Sequence, residues 1–178
     1  ICTYGEVMIR GNDVYINDDV FIKCDKTSII GNHTAIDKGF YCTTELKIGD
    51  YVHIGPYVVI IGGDKSNMIF EDFSFAATGT KIIAGSDDYN ASSLMGPVIP
   101  DEFKKLKLTT IRFEKFSGCA TNCVVMPGIT LGEGSLVGAG SLVTKDTKPW
   151  TIYAGYPARP VGVRDEDNVK KQSKSMGY

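Results

Sequence analysis

Residues 113–143 read FEKFSGCATNCVVMPGITLGEGSLVGAGSLV, and an apolar residue falls at every sixth place: Phe113, Cys119, Val125, Leu131, Val137 and Val143. The same beat runs earlier through Ile30, Ile36, Cys42, Ile48, Ile54 and Ile60. Period six is neither the 3.6 of a helix nor the alternation of an ordinary strand, and hexapeptide repeats are a signature of β-helices. Three hexads make one turn, which stacks Ile36 under Ile54 and Cys119 under Val137, each pair eighteen residues apart. The sequence therefore predicts a core built as a ladder of like residues.

Glycine often follows the inward residue, as in Ile30-Gly31, Ile48-Gly49, Ile54-Gly55, Leu131-Gly132 and Val137-Gly138. Each coil must turn three times, and glycine tolerates both positive φ and close backbone approach. Small residues such as Ser74, Thr80, Ser117, Ser135 and Ser141 fit the same narrow cross-section. With MPGITLGEGSLVGAGSLVTKD at 126–146 and IYAGYPARPVG at 152–162, the chain resembles the hexapeptide-repeat acyltransferases. That resemblance implies an all-β, left-handed parallel β-helix, and the repeat covers most of residues 14–160.

The 178 residues suffice for a single domain with a sizeable core, and a net charge of −2 without a basic cluster gives no reason to expect nucleic acid. No run of about eighteen apolar residues supports a membrane span. The five cysteines form no CxxC motif and no cysteine–histidine cluster, and Cys42 and Cys119 fall on inward positions. Buried free thiols behave as small hydrophobes and fit a reducing cytoplasm. No metal is expected.

Two interruptions break the beat, at about 62–69 after inward Ile60 and at about 85–110 after inward Ile82. They follow the same face of the coil and should emerge from neighbouring levels of one edge. The longer one, containing SDDYNASSLMGPVIPDEF at 86–103, has the aromatic, acidic and proline content of an ordered, functional loop. In the acyltransferases it resembles, such a loop reaches a neighbouring subunit and helps close the active site. The β-helix domain spans 1–160. Residues 1–13 are expected to cap its open end, and polar residues 161–178 to form a tail or short helix. Tyr51, Tyr57 and Phe73 suggest apolar outer positions left for self-association, and the resemblance implies a homotrimer with active sites between subunits.

Of two histidines, His53 in YVHIGP lies one residue before inward Ile54, so alternation points it outward; His33, in the corner GNHT, is the weaker candidate. In similar amino-sugar N-acetyltransferases a histidine in this context contacts the acyl-CoA near its thioester, and a histidine nine residues earlier is the general base. Here that position is Thr44. An alcohol acceptor needs a base to lose its proton, whereas a deprotonated sugar amine is already nucleophilic; the missing base tilts the reading toward N-acylation. His53, Asp87 and Asp88 are the remaining candidates for proton handling, with Ser66 and Asp72 as candidate acceptor contacts.

Thr121 and Ala139 each lie two places after an inward residue and share one outer column, on the same face as His53. Residues matching them line the CoA of similar enzymes. Gly62 lets the thioester end approach the backbone, and Lys145 and Arg159 are placed to meet the CoA phosphates. The expected activity is acyl transfer, acetyl first, from acyl-CoA to an amino group of a nucleotide-linked sugar in surface polysaccharide biosynthesis. A sugar O-acetyltransferase and a non-catalytic assembly module are the alternatives. The γ-class carbonic anhydrases share the fold but hold zinc with three histidines, one more than this chain contains.

Overall fold

The computed structural model describes residues 8–23, 27–90 and 92–178. Short parallel strands stack into three sheets that form the sides of a triangular coil. Sheet A runs from Ile9–Arg10 through Ile29–Ile30, Glu45–Ile48, Asn67–Phe70 and Thr110–Phe113 to Thr130–Leu131. Sheet B stacks Tyr15–Ile16, Ala35–Ile36, His53–Ile54, Phe75–Ala76, Gly118–Cys119, Leu136–Val137 and Thr151–Ala154, then adds Arg159–Val163 as an antiparallel edge. Sheet C runs from Phe21–Ile22 to Leu142–Val143. This is the parallel β-helix that the six-residue period predicts. Ile36 pairs with Ile54 and Cys119 with Val137, as the eighteen-residue spacing requires. Ile36, Ile54, Ala76 and Cys119 are fully buried, and each large aliphatic so placed contributes about 1.5–3 kcal/mol through removal of apolar surface from water.

The corners correct one expectation. Glycines directly after the inward residue, such as Gly31, do not adopt positive φ; the left-handed residues come three places after it, at His33, Tyr51, Tyr57, Phe116, Gly134 and Gly140 among others. Crowding is what demands the earlier glycines. A side chain at Gly31 would put its Cβ 2.5 Å from the Gly49 carbonyl carbon of the next coil.

At the A–B corner the left-handed positions carry rings. His33 stacks on Tyr51 (4.6 Å between centroids), Tyr51 on Phe73 (5.0 Å) and Phe73 on Phe116 (5.2 Å), and Trp150 follows at 6.0 Å. Gly134 supplies the level beneath Trp150, whose Cδ2 would lie 2.5 Å from an added Cβ. Beside the rings runs a polar ladder in which Asn32 Oδ1, Asp50 Oδ1 and Asp72 Oδ1 accept from the N–H groups of Asn12, Asn32 and Asp50 at 2.8, 2.6 and 3.0 Å. The Asn32 N–H bond holds the Asp50 carboxyl below its usual range.

Polar residues at the C-terminus close this corner. Helix α1 (Glu166–Ser175) is capped by Asp165, whose carboxylate accepts from Asn168 N at 3.0 Å. Arg164 and Lys170 lie over the Trp150 ring, and Tyr178 packs edge-on to Tyr51 and Phe73 while donating to Asp50 Oδ2 at 3.2 Å. Tyr51 and Phe73 are therefore satisfied within the chain and give no reason for self-association; Tyr57, 56% exposed, is the one of the three that remains outside.

The N-terminal cap also needs revision. Residues 1–7 lie outside the described residues, but Ile9–Arg10 pairs in parallel with Ile29–Ile30, so residues 9–13 already belong to the first coil. Cys42, Cys119 and Cys123 are buried; Cys2 and Cys24 lie outside the described residues.

Candidate functional site

His53 opens its sheet B strand pointing outward, with Ala35 below it and Phe75 above it in register. Its Nε2 lies 2.9 Å from Asp37 Oδ2, and 57% of the imidazole side chain is exposed. Asp37 was not among the residues singled out from the sequence. The only signal for it was positional, since it lies just past the small residue one coil below His53. Thr44, nine residues before His53, is fully buried and turned toward Cys42, so no base is available from that position.

Three residues beyond His53 the strand enters the B–C corner. Here Pro56, Thr78, Thr121 and Ala139 follow the inward residues of successive coils, linked by Gly79 N to Pro56 O, Asn122 N to Thr78 O and Gly140 N to Thr121 O, each 2.9 Å. Thr121 and Ala139 are exposed. They share a column, while His53 stands on the adjoining strand rather than in that column. Gly140 turns with φ +68° and no other group lies within 4 Å of where its Cβ would stand. Beneath this corner Cys123 donates to Gly138 O at 3.2 Å. Bonding with the Cys119 thiol and the backbone of Ser141 and Gly140 lowers Cys123 to about 7, while burial pushes Cys119 well up.

Arg159 opens the antiparallel edge strand of sheet B, opposite Ala154, just after Ala158, whose N–H donates to Leu142 O at 2.8 Å at the start of the last sheet C strand. Lys145 lies two residues past that strand's other end. The two cations thus flank sheet C rather than forming one cluster.

The two insertions leave from the C–A corner at adjacent levels, where Ala84 N donates to Ile61 O at 2.7 Å. The first is shorter than its expected 62–69, since Asn67–Phe70 is already a sheet A strand. Gly62 is packed against Ser66 Oγ and the Gly85 backbone. Ser66, expected to touch the acceptor, is instead fully buried and donates to Gly63 O at 2.7 Å, closing the turn. The longer insertion is ordered by an antiparallel ribbon of Gly85–Asp87 with Leu106–Leu108 and a 3-10 turn at Asp101–Phe103.

Within it Asp88 Oδ1 accepts from Asn90 N at 3.1 Å, an Asx-type turn. Asp87 Oδ2 accepts from Gly96 N at 3.2 Å, but Asp87 Oδ1 is buried with no hydrogen-bond partner among the described residues. An orphaned carboxylate oxygen costs free energy unless a donor arrives from elsewhere. Asp72, the other expected acceptor contact, is used up structurally: Oδ1 holds Asp50 N, and Oδ2 pairs with Lys115 Nζ at 2.8 Å. That bond raises the lysine's pKa.

One chain therefore keeps its candidates apart. His53, Thr121, Ala139 and Arg159 belong to sheet B and the B–C corner, while Gly62, Asp87 and Asp88 belong to the C–A corner. Among the described residues no group of three or more His, Cys, Asp or Glu side chains is arranged to hold a metal ion, and no helix is long and apolar enough to cross a membrane.

No family model matches this sequence. The dTDP-4-amino-4,6-dideoxy-D-glucose acyltransferase of Escherichia coli is 30% identical over 169 residues, which span 92% of this chain and 85% of that enzyme. The crystal structure of AntD, an N-acyltransferase from Bacillus cereus in complex with dTDP and 3-hydroxybutyryl-CoA, superposes with a TM-score of 0.88 at 30% identity, covering 97% of this chain and 93% of AntD. A hexapeptide-repeat acetyltransferase of Vibrio cholerae, at 20% identity and a TM-score of 0.59, shares the fold.

Proposed function

The chain belongs to the hexapeptide-repeat sugar acyltransferases, and from that premise we propose that it moves an acyl group from acyl-CoA to the amino group of a nucleotide-linked deoxyamino sugar. The observation that carries this reading is similarity extending over 92% of the chain to an enzyme acting on such a sugar. The AntD complex, with dTDP and an acyl-CoA bound, supports both substrate classes. Acyl-CoA supply puts the reaction in the cytoplasm, upstream of surface polysaccharide assembly.

The open B–C corner is where acyl-CoA lies in this reading. The exposed backbone turns at Thr121 and Ala139 admit the pantetheine arm, Arg159 meets a phosphate, and the thioester reaches His53; Lys145, at the far end of sheet C, is the more remote phosphate contact. Gly62, at the loop base, leaves room for the thioester end arriving from a neighbouring copy. The partnerless Oδ1 of Asp87 takes an N–H of the acceptor amine, with Asp88 shaping the turn beside it. Because His53 and Asp87 lie on different sides of one chain, a complete site needs the 85–110 loop of a second copy set against sheet B, which closes naturally as a homotrimer.

A thiol-release assay tests the proposal, with acetyl-CoA and 3-hydroxybutyryl-CoA as donors and dTDP-, UDP- and GDP-linked amino sugars as acceptors beside their hydroxyl counterparts. Turnover with an amine but not its hydroxyl partner is expected. Turnover with hydroxyls alone makes the protein an O-acyltransferase, and none with any acceptor makes it a binding module. A monomeric mass in light scattering would remove the shared site.

A further inference from the structure

The structure assigns to Asp37 the role of positioning residue for His53, through the 2.9 Å contact between Asp37 Oδ2 and His53 Nε2. This rests on the proposed role of His53. Asp37 is itself fixed by the coil: its N–H donates to Ile54 O at 2.9 Å, so its backbone cannot drift relative to the histidine's strand. Ala35, in register beneath His53, presents only a methyl group, which lets the imidazole lean across it toward Asp37.

The contact contributes little to the fold, since the two side chains are 57% and 30% exposed and such pairs are worth about 0–1 kcal/mol. Its consequence is chemical. A carboxylate accepting from Nε2–H holds the proton on that nitrogen and leaves the lone pair on Nδ1, which has no hydrogen-bond partner among the described residues. His33 provides the contrast. It also faces an aspartate, Asp13 at 3.1 Å, but through Nδ1 and with its ring stacked on Tyr51, so that pair belongs to the column at the A–B corner.

In the transfer, the amine nitrogen bonds to the thioester carbonyl carbon as the carbon–sulfur bond breaks. The surplus proton on nitrogen passes to His53 Nδ1 and from there to the departing thiolate. Asp37 orients the ring and stabilises the positive charge it carries between those two steps.

The test compares Asp37→Asn, Asp37→Ala and His53→Ala in the full-length protein with acyl-CoA and an accepted amino sugar. Long-range ¹H–¹⁵N spectra of the imidazoles are recorded alongside, the two histidine signals being assigned with His33→Gln. Asp37→Asn should lower kcat about tenfold or more, leave both KM values and the melting temperature unchanged, and erode the Nε2–H tautomer of His53; Asp37→Ala should do the same more fully. Wild-type kcat with an unchanged tautomer in both Asp37 variants overturns the inference while a His53→Ala loss leaves the parent reading standing. Wild-type turnover in His53→Ala removes His53 from the mechanism, and this inference with it.

Discussion

The A–B and B–C corners are built on the same backbone device, a left-handed residue three places after the inward one, yet they have opposite fates. At the A–B corner those residues are Asp13, His33, Tyr51, Phe73, Phe116, Gly134 and Trp150, and the rings among them stack into a column that Tyr178 and α1 cover. At the B–C corner they are Gly39, Tyr57, Gly79, Asn122 and Gly140, and the corner stands open at Gly140, three coils above His53. A non-glycine residue in this conformation costs about 1–3 kcal/mol; ring stacking offsets that cost on the closed corner, while glycine largely avoids it on the open one. One corner fastens the C-terminus, and the other carries no such cover at Gly140.

The sharpest way to break the contrast is to exchange what each corner loses. His53→Ala, on the open side, should reduce turnover about a hundredfold or more with no change in thermal unfolding; unchanged kinetics would make the exposed histidine an ordinary surface group. Trp150→Ala, on the closed side, removes a ring only 8% exposed and should lower stability by about 3 kcal/mol in urea titration. Below its new midpoint that variant should keep wild-type turnover per folded molecule, and a selective loss of activity would mean the closed corner takes part in catalysis.

Ala139→Trp sharpens the comparison from the ligand's side. The position is exposed, so stability should hold while the KM for acyl-CoA rises about tenfold, close to 1.4 kcal/mol of lost binding; an unmoved KM would displace the proposed acyl-CoA column. The smallest effect is in the polar ladder. The Asp50 carboxyl is held below its unfolded-chain range, chiefly by the Asn32 N–H, so its stabilisation is complete above that range and fades as pH falls through the depressed value. Asp50→Asn should therefore unfold with a shallower acid dependence as pH falls below the ordinary carboxylate range. An identical acid limb in both proteins would show that Asp50 is not a source of it.

Much of this was legible beforehand because the coil is quasi-one-dimensional. A residue's burial follows from its place in the hexad, so Ile36 over Ile54 and the outward turn of His53 needed no tertiary information. The glycine positions were legible too, although the reason at Gly31 proved to be the approach of the next coil rather than φ. Asp72 and Ser66 illustrate the limit: each is a polar residue near an insertion, and only the contacts show that both are already occupied.

The sequence by itself determined the period, the number of inward positions per coil and hence the fold and family, because a repeated local rule fixes a stacked structure. Only the tertiary structure decided which aspartate meets His53, that Tyr178 returns to Tyr51 across 127 residues of chain, and that Asp87 keeps a buried oxygen without a donor among the described residues. Those facts depend on side-chain direction and on contacts between corners, levels and loops, which a linear repeat does not encode.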